Sequence, residues 1–228
     1  MADEHIAYTT WQTDYMTGVP GGLWAGKFVA VCDPDPPPSR PGRHEVLMSP
    51  LSGERIIDRD LVVDRVREGF QAYGLLGKNV FSDALQTSQA GDPILVHRLD
   101  RHDTFYYITP FFREDRTLSL MVAVDARTGI YLQSIVGDDL NDRSFMLHNR
   151  EAAAQQVIGQ TIQLPEPLGR IIIRPEAVCQ HPTLVWKPCR ESLSPFFPFH
   201  LFTVGHYGIY VRADGAVFSH LRSDYRGI

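Results

Sequence analysis

One short stretch of this 228-residue chain is dense in groups that can move protons: His97, Asp100, Arg101, His102 and Asp103. An imidazole that titrates near neutral pH, beside a carboxylate that orients it, is a common acid–base pair. His97, Asp100 and His102 are therefore the catalytic candidates, although a solvated turn between strands has the same composition. A second set has the donor types of a zinc site: Cys179, His181 and Cys189, with His200 or His206 as a fourth ligand. Its C-x-H-x7-C spacing lacks the paired C-x-x-C of a structural knuckle, so no metal is expected. Neither Cys179 nor Cys189 begins a predicted helix, where a nucleophilic thiolate usually gains its low pKa. Cys32, Cys179 and Cys189 are expected to be reduced thiols. G-x-S-x-G, P-loop, G-x-G-x-x-G and H-E-x-x-H motifs are all missing from the sequence. The glycine-rich Gly18–Gly26 stretch precedes a strand, so it is read as a turn. No cofactor is expected.

The elements that must position these groups can be read from periodicity. Val62, Val66, Phe70 and Tyr73 share one face of a helix over about 61–73, capped by Asp58 or Asp60 and stopped by Gly74 and Gly77. A short helix is expected around 81–85. Strands follow at 93–98, 105–108, 118–124 and 130–136, rich in residues that suit a pleated surface. The last two are joined by the turn Asp125-Ala126-Arg127-Thr128-Gly129. A helix over about 142–158 comes next, with Asp138 and Asp139 before its positive end. Strands at 170–174, 183–186, 199–204, 208–212 and 216–221 complete the chain. Ahead of all this, Leu23–Cys32 has a strand pattern. Asp33–Arg43 holds five prolines in eleven residues, which makes a stiff surface loop, or a polyproline ligand for another domain.

Two stretches of the chain resemble each other. Pro93-Ile94-Leu95-Val96 corresponds to Pro182-Thr183-Leu184-Val185 at an offset of 89 residues, as do Arg101 to Arg190 and Asp125 to Asp214. Each stretch orders its elements as helix, strand, aromatic strand, strand, Asp/Gly turn, strand.

A helix followed by a meander ending in Val122-Ala123-Val124-Asp125-Ala126-Arg127-Thr128-Gly129-Ile130-Tyr131 resembles a PepSY domain. So does Ile209-Tyr210-Val211-Arg212-Ala213-Asp214-Gly215-Ala216-Val217-Phe218. The resemblance implies a cystatin-like shape, a curved antiparallel sheet wrapped on a helix. It further implies an inhibitory or chaperoning module, often exported and tied to peptidases. The expected fold class is thus α+β, with two similar cystatin-like units at 58–140 and 141–228, and with residues 1–57 packing on the first.

The expected function is a non-enzymatic module that binds a protein or peptide at an exposed sheet edge and an aromatic segment. Ser194-Pro195-Phe196-Phe197-Pro198-Phe199-His200-Leu201-Phe202 supplies that segment, with Phe196, Phe197, Phe199 and Phe202 as the binding candidates. Core filling is the plainer reading of the same residues. The alternative is a small cone-shaped α+β enzyme with an apolar pocket and a His/Asp acid–base site. A net charge of −5 without a basic block argues against nucleic acid as partner. No run of about 18 apolar residues is present, so no membrane span is expected. The acidic, polar first residues and the sparse cysteines point to the cytoplasm. Self-association is left open.

Overall fold

The computed structural model describes residues 10–13, 28–31, 56–101, 104–137, 149–164, 169–175, 178–180, 184–204 and 207–222. Helices α1 (Val62–Ala72), α2 (Asn79–Gln86) and α3 (Arg150–Gln155) join fourteen strands among these residues. A ribbon of β1 (Thr10–Thr13) and β2 (Phe28–Val31) stands apart from the main sheet. The Asp33–Arg43 loop, the Gly18–Gly26 turn and the Asp138–Asp139 pair lie outside the described residues.

The main sheet is built from two meanders. The first contains β3 (Gln89–Ala90), β4 (Ile94–Arg98), β5 (Thr104–Phe112), β6 (Leu118–Asp125) and β7 (Tyr131–Val136). The second contains β10 (Cys179–Gln180), β11 (Leu184–Trp186), β12 (Phe199–Val204), β13 (Tyr207–Arg212) and β14 (Val217–Phe218). The main path across the sheet runs β14-β13-β12-β11-β4-β5-β6-β7. In each meander the opening strand comes in two pieces along one partner. β3 and β4 both pair with β5, and β10 and β11 both pair with β12. Between these pieces and β7 or β14, every pairing is antiparallel.

The expectation of separate antiparallel sheets is corrected at the centre. β4 and β11 pair in parallel, Leu184 opposite Val96, Val185 opposite His97 and Trp186 opposite Arg98. The sheet is therefore mixed and continuous. Each opening strand would otherwise leave a row of backbone donors and acceptors unpaired, and each supplies the partner the other lacks.

Side-chain alternation then assigns the faces. Phe105, Tyr107, Leu120, Val122 and Val124 pack under α1, against Val62, Val66 and Phe70, all three fully buried. These helical residues recur at every fourth position, as an amphipathic stripe requires. Tyr73 departs from the predicted stripe: it caps the helix and is 59% exposed. Gly69 is needed on this face, because a Cβ there would lie 2.5 Å from the Cβ of Tyr131. The register carries the same face from Phe105 through His97 and Val185 to Phe199. Phe202, three residues on, points to the other side, where Val204, Ile209 and Val211 pack against Ala153 and Val157 of the α3 region. The helices of the two meanders thus cover opposite faces. Beside α3, a second ribbon of β8 (Thr161–Gln163) and β9 (Arg170–Ile172) adds Ile162 and Ile171 to the same cluster.

The turn predicted at residues 125–129 forms. Asp125 Oδ1 accepts from the backbone N–H groups of Arg127 and Thr128 and from the Thr128 hydroxyl, at 3.0, 2.8 and 2.9 Å. Gly129 takes φ +72° there, and any side chain would meet Arg65 Cγ at 2.7 Å.

Candidate functional site

The four phenylalanines singled out for binding do not reach the surface. Phe196, Phe197, Phe199 and Phe202 are 3, 5, 0 and 0% exposed. The expectation that they offer anchors to a partner is corrected. Phe196 and Phe197, in the connection between β11 and β12, cover the helix-free face of the first meander together with Trp186, near Tyr106 and Met121. The Tyr106 hydroxyl fixes this connection by donating to the Pro195 carbonyl at 2.8 Å. Burial pushes the Tyr106 phenol well above its ordinary pKa, so it remains a donor. The prolines stop this segment from pairing as a strand, and the hydrophobic effect folds its rings inward.

The acid–base candidates are also separated. His97 lies on the α1 face, its ring stacked on Phe105 with centroids 4.6 Å apart. Asp100 instead grips Arg98, whose cross-strand partners Thr104 and Trp186 place it on the opposite face. His102 lies outside the described residues. Of the thiol set, Cys189 is free and buried, and His200 is buried on the α3 face. His181, His206 and Cys32 lie outside the described residues. Among the described residues no cluster of three or more His, Cys, Asp or Glu side chains could hold a metal ion.

What the fold does assemble is a cleft of about 240 Å³ where the helix-free face of the first meander meets β11. Its floor crosses four strands, from Arg98 on β4 through Tyr106 and Ala123 to Gln133 on β7. Trp186 and Pro195 wall one side, and Arg101 and Leu132 stand at its margin. The Arg98 guanidinium lies 5.1 Å from the centre of the Trp186 ring. Its Nε and Nη2 donate to the two oxygens of Asp100, at 3.0 and 2.7 Å. Burial acts to raise the Asp100 carboxyl, but the Arg98 hydrogen bonds and charge outweigh it and hold the carboxyl below its usual range. Trp186 Nε1 is buried with no acceptor among the described residues. Buried indole N–H groups usually find one. Sequence reasoning passed over Arg98 and Trp186 as strand residues. The signal available was an arginine two residues before an aspartate at the end of an apolar strand.

A larger groove of about 450 Å³ lies between Gln156, Gln160 and Gln163 on one side and Val217 and Ser219 on the other. It is shallower, and among the described residues none that lines it is ionisable, so these offer hydrogen bonds without charge.

The sheet ends at β7, which has β6 as its one strand neighbour among the described residues. Its sequence, Tyr-Leu-Gln-Ser-Ile-Val, contains neither a charge nor a proline. Leu132 is 51% exposed and the preceding Ile130 57%. No protein-family model, curated protein or solved structure matches the chain. No helix among the described residues is long and apolar enough to cross a membrane.

Proposed function

We propose that the chain is a non-enzymatic module that binds an extended peptide or protein segment, built of two PepSY-like, cystatin-like units joined through their opening strands. The observation that carries this reading is the outer β7 edge, which no other strand among the described residues pairs with. Natural sheets blunt exposed edges with charge, proline or covering elements, because an open row of N–H and C=O groups invites another strand. β7 has neither charge nor proline, and it presents Leu132 beside the cleft. An added peptide strand would gain main-chain hydrogen bonds from the edge and specificity from alternate side chains. The shared order of helix, two-piece opening strand and meander supports the tandem-unit part of the proposal. A cytoplasmic, protein- or peptide-binding role without nucleic acid fits the charge and cysteine content.

The test is a random peptide display library panned against the full chain. Peptides with alternating apolar residues should be enriched, and the Leu132→Lys variant should bind them roughly tenfold or more weakly with an unchanged melting temperature. Equal binding by the variant would move the site away from β7. Failure to enrich any peptide would remove the reading, and a dimer in solution that dissociates in Leu132→Lys would assign the edge to a second copy of the chain.

A further inference from the structure

The described residues contain two arginine–aspartate pairs of the same design, and they differ at one nitrogen. In the second meander, Arg212 Nε and Nη2 donate to the two oxygens of Asp214, both at 2.8 Å, and its guanidinium lies 5.4 Å from the centre of the Phe218 ring. Its remaining nitrogen, Nη1, donates to the backbone carbonyl of Glu191. In the first meander, Arg98 grips Asp100 in the same two-pronged way and lies over Trp186. Its Nη1 has no acceptor among the described residues. Where the second pair is completed by the chain's own carbonyl, the first opens on a cleft.

The rest of that cleft is equally short of acceptors. Trp186 Nε1 is buried and unmet among the described residues. The Gln133 side-chain amide makes no hydrogen bond among the described residues. Arg101 reaches Asp100 only at 3.9 Å, with its side chain 65% exposed. Among the described residues, the two carboxylates at the cleft are already engaged, Asp100 by Arg98 and Asp125 by its own turn. Arg98 is held in place before any ligand arrives, by its stacking and its fork on Asp100, which lowers the entropic cost of a further contact.

We propose that this cleft is a carboxylate-binding subsite, in which Arg98 Nη1, Arg101 and Gln133 receive an acidic side chain or the C-terminal carboxylate of a bound peptide. The proposal rests on the peptide-binding reading for the identity of the ligand, but its chemistry is testable alone. The probes are N-acetylglutamate amide, which carries only a side-chain carboxylate, and N-acetylalanine, which carries only a terminal one. N-acetylglutamine amide is the uncharged control. Each is titrated into the full chain while the Trp186 indole N–H resonance, assigned by its loss in Trp186→Phe, is followed by NMR.

A saturating shift with at least one carboxylate probe and none with the control is the expected result. The probe that saturates first tells side chain from terminus. Arg98→Gln and Arg101→Gln should each weaken that binding about tenfold or more, as loss of a charged hydrogen bond does. The Arg101 side chain is 65% exposed, so its variant separates loss of the site from loss of the fold. No shift with either carboxylate, the same shift with the control, or full binding by Arg101→Gln would overturn the subsite. Panned peptides that depend on Leu132 yet carry no carboxylate at the cleft would overturn it too, while leaving the peptide-binding reading in place.

Discussion

The two meanders share a strand order but are roofed differently. The first is covered by α1 and α2, with Phe70 meeting Phe81 edge-on at 5.8 Å and Tyr131 at the same distance. Among the described residues, the second is covered by a six-residue helix whose buried contribution is Ala153, and by the β8–β9 ribbon. Short helices with small side chains bury little apolar area, so the ribbon's Ile162, Ile171 and the following Ile173 do the work that a second helix does elsewhere. The same strand frame can therefore be closed by different covers. What it cannot do without is a partner for each opening strand, and the parallel β4–β11 pair makes the two halves mechanically one sheet.

The sharpest way to break that statement is to damage one roof at a time. Phe70 and Phe202 are fully buried, one under each cover. Phe70→Ala and Phe202→Ala should each cost about 3–5 kcal/mol. If the sheet is one cooperative body, each variant lowers the midpoint of a single thermal transition seen by both near-ultraviolet and far-ultraviolet circular dichroism. Two separated transitions, with only one moved by each variant, would show that the halves unfold independently.

Which of these features could be foreseen follows from what local sequence encodes. Strands β4 to β7 and β11 to β13 were legible because alternation and β-branched or aromatic residues are local signals. The turn at Asp125 was legible for the same reason, since a carboxylate two and three residues before its N–H donors, with a glycine after, is a local device. The parallel pairing of β4 with β11 was not legible. Register between strands some 88 residues apart is decided by which edges are left open, and no period reports that. The β8 strand lies just beyond the helix predicted over 142–158 and is only three residues long, too short for alternation to show. The phenylalanine segment failed for a different reason: aromatic residues between prolines have the same composition in a core and at an interface, and only the Tyr106–Pro195 bond and the packing on Trp186 decide between them. The cleft combines Arg98 with a tryptophan from the other meander, so neither residue announces it alone.

A second difference between the halves lies in how they handle buried charge. Among the described residues the first meander shows no counterpart of Glu191, whose side chain is 3% exposed and whose oxygens take the Nε and backbone N–H of Arg222, at 2.5 and 2.8 Å. Burial alone would raise this carboxyl, yet the Arg222 contacts hold it below its ordinary value of 4.5. A carboxyl depressed by folding stabilises above its unfolded pKa, and that stability disappears as the pH falls through the folded pKa. Arg222 is 58% exposed, so screening limits the gain. Glu191→Gln should cost about 1–2 kcal/mol at pH 7. The gap from the parent chain should narrow below about pH 4.5 and close in strong acid, as read from urea midpoints at each pH. A gap constant down to pH 2 would mean that Glu191 acts through packing and not through its charge.

The smallest effect is the one that bears most directly on the comparison of the two arginines. Arg98→Gln and Arg212→Gln each lose a two-pronged contact with an aspartate and a cation set over an aromatic ring. Those losses are matched in kind. The Arg212 pair is more enclosed, with side chains 13 and 20% exposed against 22 and 23% for Arg98 and Asp100. Beyond that, only Arg212→Gln leaves a backbone carbonyl, that of Glu191, without its donor. An acceptor stranded by loss of its partner costs about 1–3 kcal/mol when buried, and the lower end applies where water can reach it. Arg212→Gln should therefore destabilise the chain by about 1 kcal/mol more than Arg98→Gln in paired urea titrations. A saturating carboxylate probe should then raise the parent's midpoint but not that of Arg98→Gln, because ligand binding to the native state is itself stabilising. Equal costs for the two variants in the absence of any probe would mean that the third nitrogen of Arg212 contributes nothing. The case for Arg98 as the incomplete member of the pair would lose its basis.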